Sequence, residues 1–193
     1  MSCLELHAAD RHHLENTIDW TDNMTLLETE RLRLRKLSVD DADFILELLN
    51  EPAFIRNIGD RRVRTAEDAR QYIQTRVIHS YETYGFGMYL VALKTNDLPI
   101  GICGPVKRDT LEDVDIGFAF LERHWSQGYA SESASAMMAY AKEKLGIGRI
   151  VGIVDPANPG SIRVLEKLGL KFARMVRLSA DDIELKLFTP DGK

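Results

Sequence analysis

The sequence predicts an α+β fold, a mixed and mostly antiparallel central sheet flanked by about four helices. Three observations carry this reading. Apolar residues recur at helical spacing between Ser38 and Val77, and again between Ala130 and Leu145. From Gly87 the period becomes that of strands, in three apolar runs separated by short polar turns, which argues for antiparallel hairpins. Beyond Arg149, extended and helical segments alternate before two final extended runs.

Residues 31–36 alternate leucine with basic residues, the pattern of a half-buried strand. Ser38 caps a first helix, with Asp41 as the reciprocal acid and Ala42, Ile45, Leu46 and Leu49 facing inward. Pro52 and Gly59 mark the loop that follows. Thr65 and Asp68 repeat the capping pair for a second helix bearing Ala66, Ala69, Ile73 and Val77. Residues 88–94, 100–107 and 114–121 read as three strands. A third helix places Ala130, Ala134, Met137, Met138, Ala141 and Leu145 on one face. A strand over 149–154 leads to a fourth helix, opened by Asn158 and Pro159 and ended by Gly169. Strands over 171–177 and 183–188 complete the chain.

The third helix and its approach hold the main functional signal. A β-type run from Asp115 through Phe120 enters a polar turn, and Ser126, Gln127, Gly128, Tyr129 and Ala130 carry the chain into the helix. Small residues let a ligand approach the backbone, and the free N–H groups and dipole of a helix start suit an anion, most readily a phosphate. A strand-to-helix glycine that binds nothing fits the same residues. The Asn158 helix begins about thirty residues later, and read structurally Asn158 is a cap worth roughly 1 kcal/mol.

Together these stretches resemble the GCN5-related N-acetyltransferase (GNAT) superfamily, in particular its RimJ/RimL, or ribosomal-protein-alanine acetyltransferase, branch. That branch reads E-I-G-Y-x-L, then W-G-x-G-Y-A-x-E, then N-x-x-S-x-x-V-L-E-K-L-G-F. Here the chain has Asp115-Ile116-Gly117-Phe118, then Trp125 through Glu132, then Asn158 through Ser161 and Val164 through Leu170. The likeness covers roughly residues 24–190. It implies a GNAT domain over 24–193 behind a polar N-terminal extension over 1–23. It also implies acetyl-CoA as co-substrate and direct attack by a primary amine, either a peptide N-terminus or a small molecule.

The resemblance assigns roles to residues. Backbone amides from Ser126 through Gln127, Gly128, Tyr129 and Ala130 to Ser131 would hold the pyrophosphate, and the pantetheine arm would add to the sheet edge near Phe118 and Phe120. Ser126 replaces the usual glycine, and a requirement for positive φ there would strain a serine. Asp115 stands where the branch carries Glu. It reads either as a general base acting through water or as a sheet-end aspartate bound to a neighbouring turn. Ser161 is the nearest donor to a departing thiolate, or simply a serine of a first helical turn; Leu165 stands where many relatives carry tyrosine. Asn158 is open to two roles, cap or pantetheine partner. An unperturbed Asp titrates near 3.9, so a weak base suits an α-amine (about 7.7–8) better than a lysine amine (about 10.4), whose deprotonation costs roughly 3.5 kcal/mol more.

Composition bounds the alternatives. A length of 193 residues, 45% hydrophobic and 28% charged, suits one globular domain with a substantial core. A net charge of −5 carries no electrostatic footprint for nucleic acid. No stretch approaches a membrane span or a secretion signal, so the expectation is a cytoplasmic monomer or homodimer. Cys3 and Cys103 have no metal or redox spacing, and the cluster His7, His12 and His13 has no partner cluster, so no metal is expected. Cys103, between Gly101 and Gly104, reads as a buried thiol rather than a nucleophile. The alternative is an acyl-CoA-binding module without catalysis; a Walker-type nucleotide site lacks its lysine.

Overall fold

A computed structural model describes residues 25–179 and 183–193. The segment read as an N-terminal extension, with Cys3 and the histidine cluster, lies outside the described residues.

Eight strands form one sheet in the order β1-β2-β3-β4-β5-β6-β8-β7. They are β1 (Thr25–Glu28), β2 (Leu32–Arg35), β3 (Tyr89–Leu93), β4 (Pro99–Val106), β5 (Val114–Phe120), β6 (Ile150–Val154), β7 (Lys171–Val176) and β8 (Leu185–Thr189). Every neighbouring pair is antiparallel except β5 and β6, which run parallel. The helices are α1 (Ala42–Asn50), α2 (Pro52–Ile58), α3 (Ala66–Tyr72), α4 (His79–Tyr84), α5 (Tyr129–Lys144) and α6 (Pro159–Lys167).

The capping chemistry forms as the residue types dictate. Ser38 and Asp41 make reciprocal bonds around a short 3-10 turn that feeds α1, and Thr65 and Asp68 do the same at α3. Three features differ from the sequence reading. β1 is an added edge strand of only four residues, too short to show a period. Pro52 opens helix α2 instead of marking a loop, because at a first helical position its missing N–H costs nothing; Gly59, at φ 107°, ends that helix. The second predicted helix continues past Val77 through a π-helical stretch, Ile73–Ile78, into α4, which Gly85 stops in the left-handed region.

Both faces of the sheet are covered, so its central strands are apolar on both sides. On one face Ala134, Met137 and Ala141 of α5 and Leu165 of α6 pack on Tyr89, Val91, Cys103 and Ile116. On the other, Ala42, Ile45 and Leu49 of α1 and Ala69 of α3 pack on Leu90, Ala92 and Ile102. Two glycines set how closely the layers pack. Leu165 occupies the space a Cβ on Gly152 would need, and a Cβ on Gly104 would lie 2.1 Å from the Gly87 carbonyl oxygen. The second clash is with backbone, which has nowhere to move. Gly104→Ala is therefore expected to lower stability by about 2–3 kcal/mol in urea denaturation, with an unchanged slope.

Candidate active site

The site begins where the sheet comes apart. β5 and β6 pair at only two positions, Val114 with Ile150 and Asp115 with Val151. Beyond them β5 stays with β4 as far as Phe120, while β6 stays with β8 through Val154. The edge of β5 that faces β6 thus leaves the ladder from Ile116 onward. The chain that follows each diverging strand runs into a helix, so the starts of α5 and α6 belong to the same open end.

Those two starts are built differently. At α6 the Asn158 side-chain oxygen accepts the Ser161 backbone N–H at 3.0 Å, an ordinary cap. At α5 the N-cap is Gly128, at φ 83°, and no side chain caps the helix. Its first N–H groups are therefore presented without an internal partner. Ser126 also takes a positive φ, 60°, so the strained conformation that glycine would ease is adopted by a serine. Ser126, Gln127 and Gly128 are exposed, and Tyr129, Ala130 and Ser131 half-buried.

Of the two aromatic residues predicted at the edge, Phe118 is half-buried and Phe120 belongs to the core, with its ring filling the space above Gly101. The Phe120 carbonyl accepts the Trp125 indole N–H at 2.8 Å. That acceptor is committed, which leaves Ile116–Ala119 as the unpaired stretch. Ser161 lies half-buried beside Asn158. Leu165 is core.

Asp115 is 2% exposed, at the last paired position before the strands part. Both of its oxygens are engaged by Arg108, from Nε at 2.9 Å and Nη2 at 3.3 Å. Burial pushes its carboxyl above the ordinary aspartate range, and the guanidinium holds it back. Nothing in the sequence reading gave Arg108 a role, although the β4–β5 hairpin brings the chain beyond Val106 back beside Asp115. Arg108 is the cation that acts on Asp115. Arg31 and Glu132 were missed as well. Arg31 binds both the Glu132 carboxylate and the Gln127 carbonyl, at 2.6 and 3.0 Å, across about one hundred residues of sequence.

The comparisons with known proteins agree with this geometry. Residues 31–171 match the family model described as acetyltransferase (GNAT) domain. The chain belongs to the GNAT acetyltransferase family. It is 30% identical to the uncharacterized N-acetyltransferase p20 of Bacillus licheniformis over 156 residues, 80% of this chain and 86% of that protein. It is also 30% identical to the uncharacterized protein YkkB of Bacillus subtilis (strain 168), over 79% of this chain and 89% of the other. In fold it resembles RimL, a ribosomal L7/L12 α-N-protein acetyltransferase solved with coenzyme A. That likeness has a TM-score of 0.72 at 18% identity and covers 86% of this chain and 96% of RimL.

As a GNAT acetyltransferase, the protein is an enzyme of a family that moves acetyl groups from acetyl-CoA to amines. Among the described residues no helix is long and apolar enough to cross a membrane. Cys103 is fully buried, and burial pushes its thiol up to about 12. It stays a neutral thiol at physiological pH.

Two expectations follow from the geometry. At position 126 stability should rank Gly at or above Ser, and Ser above Val, with the valine variant lower by more than about 1 kcal/mol, because a β-branched residue resists positive φ. Thermal melts of the three proteins check the order. Arg108→Met leaves a buried carboxylate without its partner and should cost about 2–4 kcal/mol at pH 8, the cation being itself partly exposed. Because the folded-state pKa of Asp115 is raised, the loss should grow as pH rises through it and shrink as pH falls below it, towards about pH 3, where the carboxyl is mostly neutral in both states. Denaturation across that range measures the slope.

Proposed function

We propose that the protein is an acetyl-CoA-dependent N-acetyltransferase of RimJ/RimL type, acetylating a primary amine by direct attack within a ternary complex. The observation that carries this reading is the coincidence, at one end of the parted sheet, of an unpaired β5 edge and an uncapped start of α5. An extended chain ending in phosphates needs both features. Edge N–H and C=O groups suit the amide-bearing arm, and bare helix N–H groups suit the pyrophosphate. Acetyl-CoA would supply the activated acetyl thioester.

The backbone from Ser126 to Ser131 binds the pyrophosphate in this reading, and the β5 edge beside Phe118 and Phe120 aligns the pantetheine arm. Asn158 spends its side-chain oxygen on the cap and keeps its amide N–H groups for the arm. The Ser161 hydroxyl donates a proton to the departing sulfur. Asp115 accepts the amine proton through a bridging water. Arg108 occupies one lone pair on each carboxylate oxygen and leaves others free, so a water can be held as well. The upward push of burial moves this carboxyl towards the range a base needs. A buried, neutral Cys103 supports attack without a covalent enzyme intermediate.

The acceptor is a protein N-terminal α-amine or a small-molecule amine of comparable pKa. A carboxylate base tied to Arg108 is a weak one, which favours an amine already partly neutral near pH 7.

Thermal melts with saturating acetyl-CoA, CoA and ATP test the cofactor. Ligand at about 100 times its Kd adds roughly 2.7 kcal/mol of apparent stability, expected for both CoA species and not for ATP. With peptide N-termini as acceptors, Asp115→Asn is expected to lower kcat by about 100-fold or more and to flatten the acid limb of the pH profile. Binding of CoA without release of free thiol across an amine panel would replace the enzyme reading with a binding module. Unchanged kcat in the variant would remove Asp115 from the chemistry.

A further inference from the structure

We infer that Arg31 and Glu132 form a clasp that holds the Ser126–Gly128 turn in its phosphate-receiving shape, a positioning role that rests on the acetyl-CoA reading above. Two physical problems at the start of α5 call for such a device. The turn contains a non-glycine residue at positive φ, Ser126, a strained conformation that persists only where neighbours hold it. Glu132 is the second problem. It places a carboxylate in the first turn of the helix, where its charge would repel the phosphates the N–H groups attract.

One set of contacts answers both. The Thr29 hydroxyl and the Arg31 backbone N–H donate to Glu132 Oε1 at 2.5 and 3.0 Å. Arg31 Nε and Nη2 reach Glu132 Oε2 at 2.7 and 2.6 Å. The carboxylate is thereby neutralised and faces the β1–β2 turn. Surplus acceptor capacity is largely used up, and the acid is held below the ordinary glutamate range by its bonds to Thr29 and Arg31 despite the opposing effect of burial.

The third nitrogen of the guanidinium sets the turn itself. Arg31 Nη1 donates to the Gln127 carbonyl at 3.0 Å. The peptide that follows is trans, so the Gly128 N–H points opposite to that carbonyl. Tying the oxygen to Arg31 therefore aims the Gly128 N–H away from the β1–β2 turn. The same guanidinium lies 4.6 Å from the centroid of the Tyr129 ring, which fixes the first helical residue from the side. One side chain thus holds the carbonyl of Gln127, the ring of Tyr129 and the carboxylate of Glu132, and is itself rooted in the sheet through β2.

The test separates pyrophosphate binding from general stability. Steady-state kinetics are measured for wild type, Arg31→Ala, Arg31→Lys and Glu132→Gln, with acetyl-CoA and with S-acetylpantetheine, which carries the thioester arm and no pyrophosphate. Arg31→Ala is expected to raise KM for acetyl-CoA about tenfold or more, with kcat within about twofold and the acetylpantetheine KM unchanged. Arg31→Lys, which keeps the charge and loses the fork, should fall between wild type and alanine. Glu132→Gln keeps the shape of the side chain and should also raise the acetyl-CoA KM selectively. Two results would overturn the clasp: equal acetyl-CoA KM in wild type and all three variants, or a parallel rise in both KM values together with a fall in kcat. A wild-type protein that binds no CoA species would overturn the cofactor reading and the clasp with it, whereas failure of the variants alone removes only the clasp.

Discussion

The arrangement depends on a sheet that stops being a sheet. Two paired positions join β5 to β6, and past Asp115 and Val151 each strand follows a different neighbour. Backbone groups inside a protein require partners, so such a parting is tolerated only where something else supplies them. Everything of functional interest is arranged about that gap. The buried carboxylate sits at its base, the two helix starts succeed its walls, and the half-buried Phe118 lies along it.

Charge is handled differently at the two ends of this gap. At the base, Asp115 is removed from water and matched by a single fork from Arg108, so the pair is costly to disturb from either side. At the mouth, Arg31 is 45% exposed and Glu132 19%, and their attraction is weakened by solvent. Its value there is geometric, because several bonds converge on one carboxylate and one backbone carbonyl. A rigid base and a lightly braced mouth suit a ligand that must enter from solvent and react inside.

The fold was legible because its signals are local. Ser38, Thr65 and Asn158 cap where they stand in the sequence, and the strands after Gly87 pair as hairpins with short turns. What escaped was either too short to show a period, as in β1, or ambiguous in chemistry, as with Pro52, which serves a loop and a helix start equally well. The π-helical stretch escaped because one extra residue in a turn leaves the apolar spacing of Ile73 and Val77 intact. The turn at Ser126 was visible as a motif, and its backbone strain was anticipated from the missing glycine. The partners of Asp115 and Glu132 were not visible, since an arginine in a loop announces no partner until the topology folds it back. Arg108 lay within reach of such an argument through the hairpin register. Arg31 did not, because no local rule connects it to a helix a hundred residues away.

The open edge of β5 has a consequence for the behaviour of the protein in a crowded solution. A strand with unsatisfied backbone groups normally invites another chain to pair with it, the first step towards aggregates. Here that edge faces inward, across the gap from β6, while β4 and the two covered faces of the sheet close its other sides. The width of that gap therefore decides what can pair with the edge.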